Sequence, residues 1–109
     1  MTDSSANEFR PITEAEFDEL LTREKERLPP EQRGFLRSIE VPVTKVPCFR
    51  SEQYGVERVF AIARFEEEIL IFDDVEDEFA LGKLDPVGTI RDWGLCGDLI
   101  DALRIIQQR

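Results

Sequence analysis

Carboxylates are the side chains of this chain that are numerous and closely spaced enough to do chemistry. Histidine is absent from all 109 positions. Without imidazole, Ser-His and Cys-His nucleophile systems are excluded, as is acid–base catalysis by histidine. The two cysteines, Cys48 and Cys96, are too far apart in sequence for a close-spaced zinc motif, and no glycine-rich phosphate loop occurs. We therefore predict a non-enzymatic protein that binds no cofactor.

Eight of the 24 acidic residues lie between positions 66 and 78, and no Lys or Arg interrupts them. They form two runs, which are Glu66, Glu67 and Glu68, followed by Asp73, Asp74, Glu76, Asp77 and Glu78. The second run offers oxygen ligands for calcium or magnesium, but it lacks the spacing and the distant glutamate of an EF-hand loop. Paired carboxylates also serve glycoside hydrolysis, yet a domain of this size leaves little room for the cleft that such a pair must flank. We predict solvated turns here, and no metal site.

The formal net charge of −10, from 24 acidic and 14 basic residues, bears on the kind of partner. Such a surface repels nucleic acid and anionic membranes, and it favours encounter with a basic protein. Net charge of this size also keeps a protein soluble whether or not it takes part in binding. We predict that both acidic runs engage a basic protein partner, with Phe79 or Trp93 as an apolar anchor. For Trp93, a partly buried core position is the alternative.

The apolar segments that flank the acidic runs predict three consecutive β-strands. Residues 59–65 are apolar at both parities and residues 69–72 are apolar throughout, which is typical of strands buried on both faces. Residues 79–84 alternate, with Phe79 and Leu81 on one face, which indicates a strand with a wetter second face. Three like charges cannot be desolvated without partners, so residues 66–68 predict a hairpin turn that makes the first two strands antiparallel.

Two helices flank this strand region. The N-terminal helix is predicted to begin after Thr13, where Glu16 completes a capping box, and to end at Pro29-Pro30. The C-terminal helix is predicted to begin at Asp98 and to bury an apolar stripe against the sheet.

The intervening segments are predicted from their glycine and proline residues. Residues 30–33 indicate a short helical turn that stops at Gly34, and residues 35–39 fit either a helical turn or an irregular packed segment. Residues 41–50 have the branched side chains of a strand, but two prolines place that strand at a sheet edge. Residues 85–88 match a type I turn, residues 89–93 a short last strand, and residues 94–97 a loop.

Together these elements predict one α+β domain over residues 1–109, whose residues 1–10 are a frayed polar terminus. Its antiparallel sheet is a meander of about four to five strands, with an N-terminal and a C-terminal helix packed on one face. The central strands then leave an apolar second face that something should cover. The alternatives are residues 35–39, curling of the sheet around a helix, a second copy of the chain, and a foreign partner.

The compartment is predicted from hydropathy and cysteine usage. No apolar run is long enough to span a bilayer, and the N-terminal residues lack the basic and apolar regions of a signal peptide. The sequence therefore predicts a cytoplasmic protein in which Cys48 and Cys96 are reduced and largely buried. A disulfide between them is the alternative.

The C-terminal half carries a pattern of turn residues, aromatic residues and a closing helix, over positions 59–107. Its matching positions are Asp74-Val75-Glu76, Phe79, Leu84-Asp85, Gly88, Ile90, Trp93 and the helix of residues 98–106. This pattern resembles small bacterial proteins of the immunity-protein and mobile-cassette type. The resemblance implies a binding role, such as the neutralisation of a basic bacterial toxin, and it implies no active site. The alternatives are a small-molecule-binding or minor enzymatic domain with a pocket between helix and curled sheet, and a homodimerising structural domain.

Overall fold

The computed structural model describes residues 10–109, so the polar terminus predicted over residues 1–10 lies almost entirely outside the described part. The elements in chain order are α1 (Glu14–Glu26), α2 (Pro30–Ile39), β1 (Glu40–Ser51), β2 (Gly55–Phe65), β3 (Glu68–Asp73), β4 (Glu78–Leu84), β5 (Ile90–Gly97) and α3 (Leu99–Gln107). This antiparallel meander with helices at both ends confirms the predicted α+β class. None of the helices in this range combines the length and the hydropathy that crossing a membrane requires.

Side-chain caps fix where the two outer helices begin. The Thr13 amide donates to Glu16 Oε1 at 2.9 Å, and the Glu16 amide donates to Thr13 Oγ1 at 3.1 Å, which is the predicted capping box. At α3 the Asp98 amide donates to Asp101 Oδ2 at 3.1 Å. Both predicted helix starts are therefore confirmed, because each depends only on residues three positions apart.

Helix α2 differs from its prediction. The sequence predicted a short turn that stops at Gly34, whereas α2 continues through Gly34 to Ile39. Gly34 is exposed and carries no steric conflict, so it costs only about 1 kcal/mol of helix propensity. Burial of Leu36, which is 2% exposed, is worth more than that cost. The ambiguous segment 35–39 is therefore the second half of one helix.

The sheet closes into a five-stranded barrel. Each strand pairs antiparallel with the next along the chain, and β1 then meets β5 in a parallel pair where Cys48 lies opposite Ile90. β1 is thus an edge strand over most of its length, as its prolines predicted. Closure of the sheet removes the open face that sequence reasoning left uncovered. The sheet does curl, but it curls around its own side chains and not around a helix.

Two separate apolar cores result from this closure. The inner core fills the barrel, and its buried residues are Cys48, Val59, Ala61, Ile69, Ile71, Ala80 and Ile90. The outer core lies between the sheet and the three helices, where Phe17 of α1 stacks on Phe60 with ring centroids 4.5 Å apart. Alternate residues of β2 and β3 therefore serve different cores, which explains why those strands are apolar at every position.

The two strands β4 and β5 also differ from their predictions. β4 has no wetter face, because Ala80 is fully buried inside the barrel. A Cβ on its Gly82 would lie 2.5 Å from Ile90 Cγ2, so the glycine allows β5 to pack closely there. β5 continues to Gly97, since Gly94 pairs with Leu81 of β4 where a loop was predicted. The predicted turn at residues 85–88 is confirmed, with the Gly88 amide donating to the Asp85 carbonyl at 3.0 Å.

A buried ion pair joins two strands that are not neighbours at one end of the barrel. Arg50 Nη1 of β1 lies 2.9 Å from Asp73 Oδ2 of β3, across the intervening strand β2. The Asp73 side chain is 1% exposed and that of Arg50 is 13% exposed. The guanidinium also stacks over the Trp93 ring at 4.8 Å and lies 3.7 Å from Glu57 Oε2. These contacts tie β1, β2, β3 and β5 together at this end.

Replacing Arg50 with Met tests how much the barrel depends on this pair. The variant keeps most of the apolar stem but leaves a buried carboxylate without its cation, which costs about 3–5 kcal/mol. We expect a loss of that size in the free energy of unfolding, measured by denaturation followed through Trp93 fluorescence.

The double variant Arg50→Met/Asp73→Asn is the matched control for that measurement. The neutral amide still presents an oxygen to the backbone of the following turn, and no charge is then buried alone. We expect the double variant to recover most of the lost stability. An Arg50→Met protein as stable as the parent would contradict the structural role of the pair.

Candidate functional site

The two acidic runs do not form one surface. They occupy the turns at opposite ends of β3, which has six residues and therefore separates them by roughly 17 Å. The prediction that both runs engage a partner together therefore requires a partner that spans the barrel. Each run is best considered separately.

Two carboxylates in the run of residues 73–78 accept hydrogen bonds from backbone amides of the protein itself. Asp73 is buried, and its Oδ1 accepts from the amides of Val75 at 3.0 Å and Glu76 at 3.4 Å. Asp74 Oδ2 accepts from the Ile12 amide at 2.9 Å, which fixes the entry to α1. Asp73 is thus not available to a partner, and this corrects its prediction as a binding residue.

The outward part of this turn consists of Glu76, Asp77 and the partly exposed Glu78. Val75, which was not predicted as a binding residue, lies among them and is 43% exposed. Phe79 was predicted as an apolar anchor, but it is 2% exposed and packs edge-on against Phe72 at 5.1 Å. That prediction is wrong, because alternation along β4 directs Phe79 into the outer core.

Trp93 occupies the alternative position that sequence reasoning considered for it. Its Nε1 donates to the Phe49 carbonyl at 2.8 Å, and its ring packs against the inner core and under the Arg50 guanidinium. A half-buried indole that packs on the core and whose N–H is satisfied is a structural residue. Trp93 therefore helps to close the barrel, and it does not stand out from the surface as an anchor.

The run of residues 66–68 flanks a groove. Glu66 and Glu67 form the exposed β2–β3 turn, while Glu68 begins β3 and accepts from Arg109 Nε and Nη2, each at 2.8 Å. This bidentate pair lowers the pKa of Glu68, chiefly through the hydrogen bond from Arg109. It also anchors the end of the chain beside the β2–β3 turn, so that α3 forms one wall of the groove.

The groove, which we call the acidic groove, has a volume of about 900 Å³ and lies on the outer side of the sheet beside the C-terminal end of α3. Its apolar lining residues, which we call its floor, are Phe65, Leu81, Leu95, Cys96 and Ile105. Its rim carries three exposed acids, Glu66, Glu67 and Asp92, and two cations, Lys83 and Arg109. An apolar floor within a charged rim is the usual composition of a protein-binding surface.

The rim has an excess of negative charge. Arg109 is already neutralised by Glu68, which leaves Lys83 as the remaining cation against three carboxylates. Among residues 10–109, no ion pair engages Glu66, Glu67 or Asp92. Carboxylates without partners beside apolar surface are suited to a ligand that brings both positive charge and apolar side chains.

The two cysteines are not joined to each other. Both are free thiols, so the alternative disulfide is wrong, while the reduced state stays a prediction. Cys48 is buried as predicted, whereas Cys96 is half-buried. Burial raises the pKa of Cys48 to about 11 and also raises the pKa of Cys96, which contributes to the groove floor. A thiol whose pKa is raised is less ionised at neutral pH and is therefore a weaker nucleophile. Within residues 10–109, no three Cys, Asp or Glu side chains come together as metal ligands do.

Sequence reasoning missed Asp92, Leu95 and Ile105 of the groove. Asp92 has a φ of +53° and falls at a register shift of β5 against β4, so its place on the rim depends on the pairing of those strands. Ile105 reaches the groove because α3 packs across the outer core. No local pattern signals these positions, since each is set by a contact between elements that are distant in sequence.

Comparison of the chain with protein-family models, with curated proteins and with solved structures finds no match. The resemblance to immunity and mobile-cassette proteins therefore stays a prediction. The function has to be argued from the groove, the barrel and their charges.

The buried Cys48 thiol makes stability depend on alkaline pH. Its pKa rises from 9.0 to about 11 on folding, so its contribution is complete below pH 9 and is lost as the pH approaches 11. We expect ionisation of this thiol to lower the free energy of unfolding by up to about 2.7 kcal/mol as the pH rises through that range. A Cys48→Ala variant should show a smaller decline. Parallel pH profiles of the variant and the parent would contradict this assignment.

Proposed function

We propose that this chain is a non-enzymatic, cytoplasmic protein-binding domain that engages a basic partner through the acidic groove. The observation that carries the proposal is the set of three unpaired acids, Glu66, Glu67 and Asp92, around an apolar floor. The floor supplies apolar area to bury, and the rim supplies faster encounter and selection of positive charge. The reducing conditions of the cytoplasm suit the two free thiols.

The groove is a better candidate than the second acidic turn. In the run of residues 73–78, Asp73 and Asp74 accept backbone amides and so support the turn. Within residues 73–78, the exposed surface offers a single apolar side chain, that of Val75. The groove instead combines several apolar side chains with Glu66, Glu67 and Asp92, which form no ion pair within residues 10–109. We therefore assign the second turn a weaker, electrostatic contribution to encounter.

A bacterial toxin with a basic surface is the partner that the sequence resemblance implies, and the proposed groove suits such a surface. Neutralisation would then follow from occupation of the toxin's basic site by the rim carboxylates. The homodimer considered from sequence stays a prediction, although closure of the barrel removes the open sheet face on which it was based. The groove lies open at the surface, which suits a segment of a protein more than an enclosed small molecule.

A heptapeptide of alternating lysine and valine, which carries both features that the groove should recognise, tests the proposal. We expect it to bind the protein in a calorimetric titration at low salt, and to bind less tightly as salt is raised. The variant Glu66→Gln/Glu67→Gln removes two rim charges, and we expect about fivefold weaker binding from the loss of two exposed ion pairs.

The matched control is Glu76→Gln/Asp77→Asn, which removes the same charge from the other end of β3. We expect its affinity at physiological salt to stay within about twofold of the parent, because at that salt its charges lie more than a Debye length from the groove. An equal loss in both variants would mean that only the overall charge attracts the peptide. Binding that salt leaves unchanged would contradict the electrostatic part of the proposal.

A further inference from the structure

Among residues 10–109, no strand lies beside one edge of β5 for half of its length. On one side β5 pairs with β4 from Ile90 to Gly97. On the other side its register contact with β1 is the single pair of Ile90 with Cys48. In a parallel pair both strands advance together, so the last residue of β1, Ser51, is level with Trp93. Residues 94–97 of β5 therefore continue beyond the end of β1.

The free part of this edge is accessible and belongs to the acidic groove. Gly94 and Leu95 are exposed, and Leu95 is 43% exposed. A Cβ placed on Gly94 would have no atom within 4 Å, so the face of the sheet is open at this residue. Gly94, Leu95 and Cys96 also line the groove, together with Asp92. The free edge and the proposed binding surface are thus one continuous region.

An open strand edge is a template for the addition of another strand. A second copy of this chain is a poor occupant, because it carries the same charge of −10 and would bring further acids to the rim. A basic segment has the complementary charge. Asp92 beside the edge and Glu66 across the groove would select positive side chains at the positions of the segment that face the groove.

We infer that the basic partner binds as an extended strand added to residues 94–97 of β5, in the position beyond the end of β1. Its backbone pairs with the free edge, and its alternate side chains point into the acidic groove. This inference rests on the proposed function and specifies the conformation of the bound segment. The segment therefore has basic residues at the positions that face the acidic groove, apolar residues between them that face the other side of the sheet, and no proline among those that pair with β5.

Two N-methylated versions of the lysine–valine heptapeptide test this inference. In a strand, the amides of alternate residues point to the same edge. Methylation of one alternate set, either the valines or the lysines, should therefore block pairing with β5 and weaken binding at least tenfold. Methylation of the other set should leave the affinity within about threefold, because those amides face solvent.

Hydrogen exchange supplies the second measurement on the same complexes. We expect the unmethylated peptide to slow exchange at least tenfold at one or more amides of residues 94–97, and the blocked peptide to leave those amides unchanged. Equal affinities of both methylated peptides, without protection of the β5 amides, would overturn strand addition. Weaker peptide binding by the Glu66→Gln/Glu67→Gln variant would in that case still support the groove. The absence of any effect of those two acids would overturn both proposals.

Discussion

The contact between Arg50 and Asp73 is the interaction on which the rest of this structure depends. A carboxylate at the closed end of a small barrel is costly to desolvate, and it is stable there because a guanidinium lies 2.9 Å from one oxygen while two turn amides donate to the other. Arg50 in turn has Glu57 and the face of Trp93 beside it. One acidic residue therefore both ties β1 to β3 and shapes the β3–β4 turn.

Closure of the barrel determines which surfaces remain for recognition. The inner face of the sheet is filled by its own side chains, and most of the outer face is covered by α1, α2 and α3. α3 ends close to the pair of Arg109 with Glu68. Beside this end, residues within 81–83 of β4 and 92–96 of β5 line the groove next to the β2–β3 turn. The acidic groove lies beside that end of α3. The free edge of β5 follows from the stagger of β5 against β1, because the register pair of Cys48 with Ile90 places the end of β1 level with the middle of β5.

The sequence predicted what depends on neighbouring residues. The capping box of Thr13 and Glu16, the hairpins around the acidic runs and the turn at Asp85 need only local contacts, and all are present. Barrel closure could not be predicted, because it depends on one parallel pair between residues 42 positions apart. In the sequence Asp73 does not differ from the acids around it. Its burial depends on the strand pairing that places it at the end of the barrel beside Arg50. Phe79 and the groove residues were misjudged or missed for the same reason, since the side that a strand residue faces depends on pairing.

Solution mass over a wide concentration range, measured by light scattering, tests most directly the claim that a sealed barrel keeps its remaining surface for a basic partner. With the inner face filled and a charge of −10 on each copy, we expect a monomer of 12.6 kDa at every concentration. A stable dimer would contradict the account. It would show that an apolar face or the edge of β5 is used by a second copy of the chain.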